Sequence, residues 1–309
     1  VRGIKYGIGV LILLLLLRGV DYNTLLAAIS LISLSDILIL LALSYLLIAV
    51  SVLKWSAFLQ QRGISQNFHR LCGLYLVGYC VNLLMPSYIG GDVVRALKVG
   101  DKDTDKEAAF SATLLERYTG LAAMLALASV CVIFAPFVTF EIRLLTASIV
   151  ALFIVGSVAG FLGVGSMFTR SVRPLTRFSS VVERIEKGMR LGLSNRALLV
   201  KAGLLSVLFH SLTIINTVAV AHAVGWDSPP WLDLFVVVPL ILLVGAIPLS
   251  PQGLGIQEGA FFYFLHSVGA TEGQALAIGL VLRAKSYFLA LVGGVIWLCD
   301  RRRAANQST

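Results

Sequence analysis

Charged side chains stand out at four places in otherwise apolar stretches of this sequence: Asp92 with Arg95, Glu116 with Arg117, Glu258, and Arg283 with Lys285. In hydrocarbon such a group costs roughly 2.5–3.5 kcal/mol even on a mild insertion scale, so each needs a partner or a task. A guanidinium presents a fixed fork of donors that matches phosphate oxygens. Arg117, Arg283 and Arg95 are therefore candidate ligands for a phosphate-bearing anion. Asp92, Glu116 and Glu258 would hold those arginines while the anion is absent, and Asp92 or Glu258 could carry a proton. The same residues also read as ion pairs that tie broken helices together. The two readings are compatible.

The charges sit beside glycines and prolines. Pro86, Gly90 and Gly91 lead into Asp92, and Pro248, Pro251, Gly253 and Gly255 lead into Glu258. A non-helical break at membrane depth is tolerated only where it is enclosed by protein or lines a wet cavity. Helices restarting near Gly91 and Gly255 would aim N-terminal amides at the break and add a weak positive potential.

Composition says what surrounds these residues. Of 309 residues, 58% are hydrophobic and only 13% charged, and the mean hydropathy is +0.91. So few charges cannot cover a soluble surface, which excludes a cytosolic enzyme, a nucleic-acid module and a disordered scaffold. A polytopic membrane protein remains, and its net charge of +9 marks cytoplasmic loops rather than a nucleic-acid partner. The four cysteines lack CxxC spacing and read as small buried hydrophobes. His210, Asn216 and His222 share one helix without an acidic or Cys partner, so no metal or other cofactor is expected. No GxxxxGK[ST] string is present, so ATP hydrolysis is not the expected drive.

Apolar runs at 3–17, 36–55, 70–85, 108–136, 144–165, 197–222, 231–247 and 274–299 are long enough to act as membrane segments, with a shorter one at 256–268. The 166–201 loop carries eight Lys and Arg against two Glu and must be cytoplasmic. The acid-free 54–70 segment and the Arg301–Arg303 tail should share that side, whereas 18–36, with Arg18, Asp21 and Asp36, reads as an outside loop. Simple alternation violates these assignments. The conflict disappears if 70–98 enters from the cytoplasm, breaks and returns, and 231–268 does the same from outside. The expected fold is all-α and integral to the membrane, a single polytopic domain over 1–309. It has about six spanning helices plus two broken re-entrant hairpins. They form inverted halves at roughly 1–136 and 144–299, with both termini cytoplasmic. Paired Gly/Pro interruptions in inverted halves point to a transport site near the midplane. Within 166–201, apolar residues from Val172 to Met189 recur every three or four positions, an amphipathic helix expected on the inner leaflet. Lys54-Trp55 reads as an interfacial anchor closing the second helix.

The strings from Asn82 through Pro86, Gly90, Gly91 and Asp92 to Arg95, then Glu116-Arg117 with Gly120, then Ile247 through Gly253 and Gly255 to Glu258, and finally Arg283, resemble the lysylphosphatidylglycerol synthase transmembrane region, a flippase-like membrane family. The resemblance runs from about Lys54 to Arg283. It implies a prokaryotic plasma (inner) membrane protein whose relatives move aminoacylated phosphatidylglycerol between leaflets or are associated with polyprenol-linked sugars or hopanoids. In the synthases a soluble aminoacyl-transfer domain follows the membrane part, and 309 residues leave no room for it here. The expectation is therefore a lipid translocase whose partner is an anionic phospholipid or an isoprenoid-phosphate lipid, not an enzyme. Two alternatives stay open: a transferase acting on a lipid carrier, and a non-catalytic partner of such an enzyme. A homodimer is open as well.

Overall fold

The computed structural model describes residues 2–19, 22–85, 89–100, 103–164, 167 and 179–306. Regular structure among them is helical: α1 (Arg2–Gly19), α2 (Tyr22–Ser30), α3 (Leu34–Gln61), α4 (Phe68–Leu84), α5 (Ile89–Val99), α6 (Asp103–Phe134), α7 (Phe140–Phe161), α8 (Ser179–Ser194), α9 (Arg196–Ala223), α10 (Trp231–Ala246), α11 (Ile256–Ser267) and α12 (Glu272–Asn306), with a 3₁₀ turn at Pro251–Gly253.

Local chemistry sets the helix ends. Ser33 Oγ accepts from Asp36 N at 3.2 Å, and Asp36 Oδ2 accepts from Ser33 N at 2.9 Å, a reciprocal cap that opens α3. Asn67 and Asn195 open α4 and α9 by accepting from His69 N and Leu198 N. Past the C-terminal end of α6, Arg143 donates to Val132 O in its last turn and to Ala135 O and Val138 O in the connection to α7.

Among the described residues, five helices are long and apolar enough to cross a membrane: α3, α6, α7, α9 and α12. A sixth arises if Val10–Arg18 and α2, which stand 100° apart, count as one bent span. The arms α4, α5, α10 and α11 hold 17, 11, 16 and 12 residues. At about 1.5 Å per residue none reaches the ~30 Å hydrocarbon thickness. They pack in pairs, α4 on α5 and α10 on α11, and these are the two broken hairpins expected from the Gly/Pro interruptions. Each has its own apolar core. Trp55, Phe58, Leu71, Ala96 and Leu115 centre one; Leu234, Ile241, Leu265, Leu276 and Ile278 centre the other. By contrast, α7 buries only Ile142 and Thr146 and exposes Leu144, Leu152, Val155 and Phe161, an apolar face of the kind a bilayer accommodates.

Two expectations change. The 18–36 stretch is not merely a loop: α2 lies within it and buries Leu25 and Ala28 against the bundle. Nor does α3 end near Lys54; it continues to Gln61, so Lys54 and Trp55 lie inside the protein rather than at an interface, 4% and 0% exposed. The amphipathic segment is helical from Ser179 and packs on α6. Its expected members Val172, Leu175 and Phe178 lie outside the described residues, as do Pro86, Ser87 and Tyr88 of the first break.

Candidate functional site

The first hairpin brings its charges together through one close crossing. A Cβ on Gly91 would run into the carbonyl of Gly78, so only glycine lets α5 lie this near α4. At Gly90 the same atom would stand 2.7 Å from Met85 Cγ. Gly91 N donates to Asn82 Oδ1 at 2.7 Å, so this first-turn amide is satisfied within the hairpin.

One turn on, Asp92 and Arg95 meet α6. Arg117 Nε and Nη2 reach Asp92 Oδ2 and Oδ1, both at 2.8 Å, a bidentate pair. Arg95 Nη2 lies 2.5 Å from Glu116 Oε2, and its Nε is 3.1 Å from Asp92 Oδ1. Tyr75 donates its hydroxyl to Glu116 Oε1 at 2.9 Å. The Arg95 guanidinium carbon lies 4.7 Å from the centre of the Trp55 ring and 4.3 Å from that of Tyr75, so two aromatic rings flank it. Trp55 is fixed in turn by donating to Thr113 Oγ1 at 2.9 Å.

Exposure divides this cluster. Arg95 and Glu116 are 1% and 3% exposed, whereas the Arg117 side chain is 52% exposed and Asp92 17%. Lys54 adds a second buried cation, donating to Ser206 Oγ at 3.0 Å beside Gly120. Among the described residues, three cations therefore stand near two carboxylates, and Arg95 Nη1 is buried without a hydrogen-bond partner.

The second hairpin turns through left-handed backbone at Gln252, Gly253 and Gly255, with φ of 48°, 66° and 77°. Gly253 is pressed so close to the Gly245 backbone that any Cβ would collide with it. Glu258 Oε2 accepts from Gly255 N at 2.7 Å, capping α11. Its other oxygen accepts from Arg283 Nε. Arg283 Nη1 also donates to Gln252 O at 2.7 Å, and Nη2 to Gln257 Oε1 at 3.3 Å. One guanidinium thus clasps the cap, the turn and the first turn of α11.

The structure gathers the expected residues into two clusters, each with its own carboxylate partners. Gln252 Nε2, 3.4 Å from Tyr79 O, joins the second break to α4 of the first hairpin. A cavity of about 250 Å³ lies apart from both clusters, at Arg62 and Lys187. Sequence reasoning missed Lys54, Trp55 and Tyr75 as members of the first cluster. The available signal was the apolar run Ala57-Phe58-Leu59 beyond Lys54, which places that lysine inside its helix.

Similar proteins are found along most of the chain. A UPF0104 membrane protein of Methanothermobacter thermautotrophicus is 27% identical over 286 residues, covering 84% of this chain and 83% of that protein. A second UPF0104 membrane protein of the same organism is 23% identical over 292 residues, covering 83% of this chain and 82% of that protein. Glycosyltransferase AglD of Haloferax volcanii is 26% identical over 285 residues, covering 79% of this chain but only 45% of that protein. No solved structure matches. The model of the Lysylphosphatidylglycerol synthase TM region family matches residues 3–294, and this multi-pass membrane chain belongs to that family.

Proposed function

We propose that this chain is a lipid translocase that binds the phosphate of an anionic phospholipid or polyprenyl-phosphate-linked lipid between its two broken hairpins and moves it across the bilayer. The supporting observation is the charge imbalance of the first cluster: Lys54, Arg95 and Arg117 against Asp92 and Glu116, with Arg117 half exposed. A net positive cluster inside a bilayer is costly, and a bound phosphate offsets it. Arg117 is the cation that first meets the phosphate, while Arg95 and Lys54 set the potential behind it. The acyl or prenyl chains stay in lipid. The hairpins enter from opposite faces as inverted halves, with both termini on the basic, cytoplasmic side of the plasma membrane.

A second reading is favoured by one observation, the relative named as a glycosyltransferase. It requires a free carboxylate, and Asp92 and Glu258 are both engaged by arginines. Incubation with sugar donors and polyprenyl phosphate, followed by mass spectrometry, would reveal a glycosylated lipid if this reading holds.

Vesicles containing the purified protein test the main reading. Labelled anionic lipid should exchange between leaflets faster than in protein-free vesicles, and faster than a labelled neutral lipid of the same chain length. Equal rates with and without protein, for both phosphatidylglycerol and polyprenyl phosphate, would overturn it.

A further inference from the structure

Of the charges that stand out in the apolar stretches, Lys285 belongs to neither cluster. It lies two residues beyond Arg283 on α12, about 200° around the helix, and so turns away from the second break and toward α9. There its ammonium donates to Asn216 Oδ1 at 3.0 Å. Asn216 is buried and neutral. Arg95, Arg117 and Arg283 each meet a carboxylate. Among the described residues Lys285 meets none, and Asn216 takes one of its three N–H donors. A positive charge and two donors remain, on a helix apolar enough to cross the bilayer. An uncompensated ammonium at that depth is costly, and an anionic group from outside the chain offsets it.

Helix α9 shows where this cation stands relative to the first hairpin. Ser206, His210, Thr213 and Asn216 recur every three or four residues, a polar strip along one side of an apolar span. Ser206 accepts from Lys54, and His210 Nε2 donates at 2.9 Å to Gly120 O, three residues past Arg117. Asn216 follows Ser206 by ten residues, or about 15 Å along the helix axis. The strip thus carries a lysine at each of two depths, Lys54 at the level of the half-exposed Arg117 and Lys285 further along. An ammonium is a compact charge with rotatable donors on a flexible stem, whereas a guanidinium is a fixed fork. The former suits a phosphate in passage.

We infer that Lys285 is a second binding point for the phosphate of the anionic lipid, reached along α9 from the level of Arg117. Asn216 is the positioning residue that aims the ammonium. The inference rests on the translocase reading for its lipid and its path.

Vesicles holding the full chain, with phosphatidylglycerol or a polyprenyl phosphate carrying a photoreactive group beside its phosphate, test this. After illumination, peptide mapping should find adducts of one or both lipids on α9 and α12 around Asn216 and Lys285. Asn216→Asp is nearly isosteric and gives Lys285 a counter-ion inside the protein. Those adducts should then fall about tenfold, the effect of a charge-assisted hydrogen bond lost to the lipid. The thermal unfolding transition should hold or rise, which separates loss of ligand from loss of structure. Lys285→Met removes the charge and keeps a long flexible side chain. It should lower the same adducts as far and slow exchange of anionic lipid. Absence of adducts around Lys285 with both lipids overturns the inference, as does a yield that neither variant lowers. Leaflet exchange is read in the same vesicles. Wild type that forms the adducts but exchanges lipid no faster than protein-free vesicles ends the translocase reading and keeps the binding point. Exchange without adducts at Lys285 does the reverse.

Discussion

At the first hairpin, among the described residues, three cations stand near two carboxylates contributed by α5 and α6, and one guanidinium stands half in the open. At the second, one buried guanidinium meets one buried carboxylate, and the remaining donors go to the turn that the pair encloses. The residue types are alike; the electrostatic outcome differs. A balanced, closed pair has little left to give a ligand, and its donors rigidify left-handed backbone at Gln252 and Gly253. An unbalanced, half-open cluster has both unspent charge and an accessible donor. The second hairpin is thus built as a clasp and the first as a receptor. The Gln252–Tyr79 contact lets the position of one bear on the other.

The largest expected effect breaks the clasp. Arg283→Ala leaves Glu258 buried without its cation and Gln252 O without its donor. Removing one member of a buried ion pair costs about 3–5 kcal/mol, so the thermal unfolding transition in detergent should fall steeply and yield should drop. A transition within a degree or two of wild type would show that the clasp carries no load.

Arg117→Ala should do the opposite. Its pair with Asp92 is half exposed, and exposed pairs contribute about 0–1 kcal/mol, so stability should barely move. Loss of a bidentate phosphate ligand is worth about 1.5–3 kcal/mol, so anionic lipid exchange should slow by roughly ten- to a hundredfold. If Arg117→Ala destabilises as much as Arg283→Ala, the two clusters do the same job and the contrast fails.

Much of this plan is legible in the sequence because lipid makes the rules strict. Apolar runs of sufficient length must be helices, breaks must be protected, and the basic loops conflict with simple alternation unless two segments turn back. Hence 70–98 and 231–268 read as hairpins before any coordinates. Helix α2 escapes because nine residues with two buried side chains give too short a pattern to separate from a loop. Lys54 escapes because Lys-Trp near the end of an apolar run looks like an interface anchor, and only the polar Gln60-Gln61-Arg62 marks the true end. Partner choice escapes too. Nothing in spacing assigns Arg117 to Asp92 and Arg95 to Glu116, since those pairings depend on how far α5 slides along α6. The Arg62 cavity exists only because Gly188, where a Cβ would stand 2.6 Å from Arg62 Nη2, permits α8 to settle where it does, a tertiary fact that no local pattern encodes.

Tyr75→Phe tests the receptor's inner wall with a smaller effect. It removes the hydroxyl donor to Glu116 Oε1, leaving a buried carboxylate oxygen short of one bond, at a cost of about 1–3 kcal/mol. The unfolding transition should drop measurably, by less than in Arg283→Ala. A larger drop would mean that Tyr75, rather than the Arg95–Glu116 pair, holds the cluster together.

Lys54→Met should move stability least and sharpen the comparison most. The substitution keeps a long flexible side chain and removes the unbalanced charge, leaving Arg95 and Arg117 against Asp92 and Glu116. Burying the lysine ammonium carries a desolvation cost that methionine does not, and the lost bond to Ser206 is worth about 0.5–1.5 kcal/mol. The two terms oppose each other, so the unfolding transition should shift by no more than about 1 kcal/mol in either direction. The cluster then becomes electrically like the second hairpin. If charge excess is what distinguishes receptor from clasp, exchange of anionic lipid should slow severalfold although Lys54 itself is buried beyond reach of a headgroup. Unaltered exchange would place the whole effect on Arg117 and leave accessibility, not charge, as the difference between the two hairpins.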